Sequence, residues 1–204
     1  MKIPKNIADV LVKQKGTITS QDISALGISR TMLGRYVSSG LLERAGRGLY
    51  TSVDALPDEI FALSRRNEKM VFSHATALFL LGKSERTPFN HYVTVKSGDT
   101  IPVSLRQDLI CFYVKDELFD LGRTDVATQF GNIVPCYNLE RTICDFIRNR
   151  RRMDEELFIA TIKAYAADKS RNISRLGEYA QCMCIEDKVN KILTARTSWR
   201  RGVS

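Results

Sequence analysis

Three residues, Gly27-Ile28-Ser29, separate two short helical patterns, and nothing else in the chain restricts its fold as tightly. Before them, Thr19 and Asp22 have the spacing of a reciprocal N-terminal cap, Ile23 and Leu26 supply an inner face, and Gly27 stands where a left-handed C-terminal residue belongs. After them, Ser29 can cap a helix that runs to Gly40. A three-residue turn between helices this short predicts a helix-turn-helix. Upstream, Ile3, Ile7, Val10 and Leu11 recur at helical spacing, Gly16 ends that pattern, and Thr17 to Thr19 leave room only for a short extended link. Downstream, LLERAGRGLYT holds two short runs around Gly46-Arg47-Gly48, whose glycines permit a tight hairpin. Three helices and a hairpin make a winged helix.

The side chains of the helix after the turn then sort by angle. At 100° per residue, Leu33, Tyr36, Val37 and Ser29 fall on one side, with Ile28 and Leu41 completing a small core. Thr31, Gly34, Arg35 and Ser38 fall on the other, and Arg30 lies at its edge in the first turn. A helix entering a DNA major groove needs short or basic residues there, because arginine can fork onto guanine and hydroxyls can reach phosphates. The hairpin adds Arg44 and Arg47, the second at the tip, where a guanidinium can reach a phosphate or a minor groove. The candidate DNA-binding residues are therefore Ser29, Arg30, Thr31, Arg35, Ser38, Arg44 and Arg47. Small three-helix units also serve as protein-interaction modules, and that alternative stays open at this level.

Charge supports the DNA reading. The chain carries 31 Lys and Arg against 23 Asp and Glu, a net of +8, and residues 1–50 hold eight bases and three acids, a net of +5. The longest apolar run, Ala75 to Leu81, is too short to span a bilayer, and the N-terminal stretch is too often interrupted by charge to be a secretory signal. A soluble, cytoplasmic protein is expected, with no membrane partner. Its five scattered cysteines, Cys111, Cys136, Cys144, Cys182 and Cys184, then read as reduced thiols.

Pro57, followed by the acids Asp58 and Glu59, suits a first helical turn and marks a boundary near residue 54. Beyond it, Ser73 can cap a helix through Leu81. Strand-like runs follow at Tyr92–Val95, Ile101–Val103, Leu109–Val114, Val126–Phe130 and Ile133–Cys136, with Gly131-Asn132 as a two-residue hairpin signal. Helical spacing returns in Leu139–Ile147, Leu157–Ala166, Leu176–Met183 and Val189–Leu193. The expected fold class is α+β: a winged helix-turn-helix over residues 1–53, then a larger mixed α/β domain over 54–204 with a sheet packed by helices.

Signals for catalysis are weak. His74 and His91 have no ligand-spaced neighbour, and Cys182 and Cys184 on a helix would point about 200° apart. Glu186-Asp187-Lys188 resembles a nuclease E-x-K triplet but opens a helix, and Ser97-Gly98-Asp99 lacks the downstream carboxylate pair that two-metal chemistry needs. Arg141 and Asp145 sit at i, i+4 beside Glu140 and read as an ion pair. Arg148, Arg150, Arg151 and Arg152 either complement a helix C-terminus or make a second polyanion contact. No catalytic residue, no metal site and no cofactor is expected. A metal-dependent enzyme acting on nucleic acid is the alternative.

Four stretches together, LLERAGRGLY, FSHATALFLLG, HYVTVKSG and YNLERTICDFIR, resemble the AbiEi antitoxins of type IV toxin/antitoxin systems, which serve abortive infection and phage defence in bacteria. The likeness runs from about residue 5 to residue 150. It implies a transcriptional repressor that binds inverted repeats in double-stranded DNA of its own promoter and autoregulates its operon. It also implies a C-terminal domain that counters a nucleotidyltransferase-like toxin without a stable complex. Arg30, Thr31, Arg35 and Arg47 are the positions it marks for DNA reading, and it carries over no catalytic residue. The chain is expected to be a monomer in solution that binds DNA cooperatively.

Overall fold

The computed structural model describes residues 2–84 and 86–199. It has the α+β fold expected, a winged helix followed by a larger mixed region in which helices pack a sheet. The chain divides into two units, Met1–Glu68 with Val126–Val134, and Lys69–Asp125 with Pro135–Ser204.

In the first unit, α1 (Lys5–Lys13) buries Ile7 and Leu11. It stops where Gly16, at φ +86°, donates its N–H to the Leu11 carbonyl at 2.7 Å. Strand β1 (Thr17–Thr19) leads into α2 (Ser20–Ala25), whose start is a complete capping box. The Asp22 N–H donates to Thr19 Oγ1 at 3.2 Å, and the Thr19 N–H donates to Asp22 Oδ2 at 2.9 Å. Burial alone would raise the Asp22 carboxyl, but these Thr19 bonds, with those of Gln14 and Arg65, hold it below the usual range. The turn through Gly27 delivers α3 (Arg30–Ser38), capped as expected by Ser29, whose Oγ accepts the Met32 N–H at 3.2 Å. Strands β2 (Glu43–Gly46) and β3 (Leu49–Thr51) form the hairpin, and β1 joins β3 to give the order β1-β3-β2. Ile7, Leu11, Ile18, Ile23, Leu33, Tyr36 and Leu42 fill the core between helices and sheet.

Helix α4 (Glu59–Arg66) also belongs to this unit. Its N-cap Asp58 is buried and joins several segments. Oδ1 accepts the Phe61 N–H at 3.0 Å, while Oδ2 accepts the Thr128 hydroxyl at 2.5 Å and the Asn132 amide at 2.9 Å. The Asp58 N–H donates to Thr17 Oγ1 at 3.3 Å. These bonds fasten residues 128–132, and they correct the hairpin reading there. The expected two-residue turn at Gly131-Asn132 is a longer connection closed by Thr128 N–H to the Asn132 carbonyl at 2.8 Å. The strand expected at Val126–Phe130 is earlier, β7 (Arg123–Ala127), because Thr128 turns away to reach Asp58.

The second unit contains β4 (Met70–Phe72), α5 (His74–Leu80), β5 (His91–Lys96), α6 (Val103–Arg106), β6 (Leu109–Val114) and α7 (Asp116–Phe119). After β7 come β8 (Ile133–Tyr137), α8 (Leu139–Arg148), α9 (Glu155–Ala167), α10 (Ile173–Cys182) and α11 (Glu186–Trp199). The sheet order is β6-β5-β4-β8-β7, with β5 parallel to β6, β4 antiparallel to β5, and Phe72 opposite Cys136 in the parallel β4–β8 pair. The strand expected at Ile101–Val103 is absent. Pro102 has no N–H for a ladder, so Ile101 drops into the core and Val103 opens α6 instead. Helix α8 is the centre of this unit, with every residue from Glu140 to Ile147 buried.

Candidate nucleic-acid interface

The sequence of α3 places two residue sets on opposite sides. Leu33 and Tyr36 are buried, whereas Arg30, Thr31, Gly34, Arg35 and Ser38 are exposed. The wing is set against them by a tight approach. Gly48, at φ +70°, accepts the Ser20 N–H on its carbonyl at 2.9 Å, and a Cβ there would lie 2.9 Å from Ser20 Oγ. The positive φ and the close approach both favour glycine at that corner. The β2–β3 register shifts between Arg44 and Gly46, and both Arg44 and Arg47 remain exposed.

Between α3 and the wing lies an open groove of about 580 Å³. Arg30, Gly34 and Ser38 line it from the helix, one turn apart, and Arg44 and Arg47 from the hairpin. Leu33, Val37 and Tyr50 supply its apolar part. Among the described residues no carboxylate pairs with Arg30, Arg35, Arg44 or Arg47. Their charges are uncompensated and solvated, which suits transfer to a phosphate oxygen with displacement of counterions.

The structure thus brings Arg30, Ser38, Arg44 and Arg47 around one groove, while Thr31 and Arg35 lie outside it on the exposed side of the helix and Ser29 is its exposed N-cap. Two hydroxyls have local tasks: Ser29 caps the helix, and Ser38 Oγ donates to the Arg35 carbonyl at 3.2 Å. The guanidinium of Arg35 rests 3.9 Å from Met32 Sδ. Ser20 and Tyr50 also line the groove, and neither is among the residues that the sequence reading marks. The alternation that buries Leu49 and Thr51 is the signal for Tyr50, since it turns the residue between them to the other face.

The second arginine cluster is less free. Arg148 ends α8 and Arg151 is exposed. Arg150 lies 4.9 Å over the Phe158 ring and 3.7 Å from Glu155, and Arg152 lies 4.1 Å over Phe112 while donating to the Cys111 carbonyl at 3.2 Å. Two of its four cations are therefore engaged within the second unit.

YNLERTICDFIR proves to be packing. Arg141 is fully buried at 4.2 Å over the Tyr137 ring. Its Nε donates to both Asp145 oxygens at 3.2 Å, and Nη1 donates to the Leu118 and Leu121 carbonyls at 2.5 and 2.7 Å. Glu140 accepts the Asn172 N–H at 2.9 Å. These bonds tie α8 to the segment after β6 and to the start of α10. Gly122 completes the fit: a Cβ there would meet Arg141 Cβ at 2.6 Å. His74, the first residue of α5, is buried too, stacked 3.9 Å over Phe112. Its Nδ1 lies 2.9 Å from Ser73 Oγ, and its Nε2 accepts from Asn149 Nδ2 at 3.1 Å. Burial, then the charges of Arg141 and Arg152, push its titration down to about 3.

The remaining chemical motifs stay apart. Ser97-Gly98-Asp99 is a turn whose Asp99 pairs with Lys69 at 2.9 Å, and Glu186-Asp187-Lys188 opens α11. Cys182 and Cys184 are exposed at the end of α10, and the cysteines are free. Among the described residues no three His, Cys, Asp or Glu side chains are grouped to hold a metal ion. None of the described helices is long and apolar enough to cross a membrane.

Comparison with known proteins falls on the groove-bearing segment. Residues 6–53 match a family described as transcriptional regulator, AbiEi antitoxin. Among solved structures, the chain is similar to the RV2827C protein from Mycobacterium tuberculosis, with a TM-score of 0.56 and 14% identity over 88% of this chain and 72% of that one. That likeness is one of fold. No curated protein matches the sequence. The helices, turn and wing that build the groove are therefore the part of the chain that is similar to the AbiEi transcriptional-regulator family.

Proposed function

We propose that this chain is a DNA-binding transcriptional autorepressor and the antitoxin of a type IV toxin/antitoxin pair, acting in the bacterial cytoplasm. One observation carries the reading: four unpaired arginines stand exposed on α3 and the wing, three of them around a single groove, in the segment that matches the regulator family. In the DNA complex α3 enters the major groove and its outer arc of Arg30, Thr31 and Arg35 faces base edges and phosphates. Arg44 and Arg47 hold the adjoining backbone. Ser29 and Ser38 support the helix as well as facing the duplex.

A single nine-residue helix offers few base contacts, each discriminating by about 1–3 kcal/mol, so two copies on paired inverted half-sites supply the remaining selectivity. The second role belongs to residues 54–204, which counter a nucleotidyltransferase-like toxin without forming a stable complex with it. In this reading the chain is a regulator and has no catalytic step of its own.

The test is a mobility shift with duplex DNA from immediately upstream of the gene. Specific retardation is expected for the native protein, lost in Arg35→Ala and weakened in Arg47→Ala. Equal retardation of all three proteins, or none by the native one, overturns the proposal.

A further inference from the structure

Gly34 is the feature of the groove that the protein's own packing does not explain. It is the fifth residue of nine in α3, where glycine is a poor helix former. Eight other glycines have positive φ and so meet a conformational need, but Gly34 does not. Nor does crowding require it, since a Cβ built there meets nothing within 4 Å. Alanine would fit and would strengthen a helix whose Thr31, Tyr36, Val37 and Ser38 are already weak helix formers.

The position lies on the groove, with Arg30 one turn before it and Ser38 one turn after, facing Arg44 and Arg47 of the wing. Bare helix backbone flanked by a guanidinium and a hydroxyl is a surface that a partner can approach about 1.5 Å closer, one carbon–carbon bond, than it could over alanine. The cations around it select a polyanion, and their arrangement on both walls suits one strand's sugar–phosphate chain lying between helix and wing.

We infer that Gly34 is the seat of the sugar–phosphate backbone in the groove, a position kept free of a side chain so that α3 can close on one strand of a DNA duplex. This rests on the DNA-binding reading above and adds to it a residue that carries no charge and makes no hydrogen bond from a side chain. Its contribution is shape, and it is blind to base sequence.

Gly177, exposed in α10, is the matched control, because a Cβ there also meets nothing within 4 Å and its φ is not positive. Both Gly34→Ala and Gly177→Ala in the full chain are expected to raise Tm by about 2–4 °C. Affinity is then measured by titration against the upstream duplex and a random duplex of equal length, across a range of salt. Gly34→Ala is expected to bind both at least tenfold more weakly with an unchanged salt slope, and Gly177→Ala to bind as the native protein does. Arg47→Ala is expected instead to flatten the slope by about one unit. Binding by Gly34→Ala within twofold of native overturns the inference while leaving the DNA-binding reading intact. A loss confined to the upstream duplex overturns it as well, since that places a base edge at Gly34. Failure of the native protein to bind either duplex overturns both.

Discussion

The arginines of α3 and the wing and the arginine at the centre of α8 have the same side chain and opposite uses. Arg30, Arg35, Arg44 and Arg47 are exposed and unpaired, so their charge costs the fold little and remains available. Arg141 is wholly buried, and Asp145, two backbone carbonyls and the Tyr137 ring use up most of its donors and its flat face. An ion pair taken out of water stabilises only when geometry satisfies its remaining groups, and losing one member leaves the other uncompensated. A distinctive charged motif can therefore mark the architecture of a chain, while plainer charges elsewhere stay exposed and open to a partner.

That contrast breaks most easily at Arg141. Arg141→Met leaves Asp145 buried without its cation, a loss of about 3–5 kcal/mol. Thermal unfolding should show Tm lower by about 6–20 °C; a shift of a degree or two contradicts the structural role. Burial pushes the Asp145 carboxyl up while Arg141 and Arg148 oppose it, so a double change with Asp145→Leu should recover part of the loss.

On the exposed side the pattern inverts. Arg30→Ala and Arg35→Ala should leave chemical denaturation within about 0.5 kcal/mol of native while reducing affinity for upstream DNA. If either destabilises the fold as Arg141→Met does, the division between the two sets fails.

His74 sharpens the comparison through pH. Its folded titration near 3 lies below the ordinary 6.5, so as pH falls through 6.5 the unfolded chain takes up the proton first. Its stability contribution is complete above 6.5 and is lost progressively toward 3, at up to about 1.4 kcal/mol per pH unit. Urea unfolding between pH 7 and 4 should show this slope, and His74→Asn should flatten it; an unchanged slope removes His74 as its source. Among the side chains engaged in packing, the smallest loss is expected at Arg152→Ala, which gives up the Phe112 ring face and the Cys111 carbonyl at about 1 kcal/mol, measured by the same denaturation.

How much of this is legible in residue order follows from where the determining bonds lie. The first three helices and the wing are set by neighbours in sequence, the Thr19–Asp22 box, the Gly27 turn, the Ser29 cap and the glycine turn at the tip of the hairpin, so the local pattern alone predicts them. The five-residue connection at 128–132 depends on Asp58, some 70 positions away, and no local pattern announces that bond. Strand β4, only three residues long between Lys69 and Ser73, is a strand because β5 and β8 flank it. At the candidate site, helical angle predicts which side chains face out of α3, but only the fold divides them between groove and flank. Ser20, for one, reaches the groove because its backbone bonds to Gly48.

The claim underneath all of this is that the cations of α3 and the wing take hold of a DNA backbone, and salt dependence tests it most directly. The affinity of the native protein and of a combined Arg30→Ala, Arg44→Ala, Arg47→Ala variant for the upstream duplex should be measured across a range of salt. Each phosphate that an arginine neutralises adds about 0.9 to the slope of log affinity against log salt. The slope is therefore expected to be shallower in the triple variant by about 2–3 units. Equal slopes for the two proteins would contradict it.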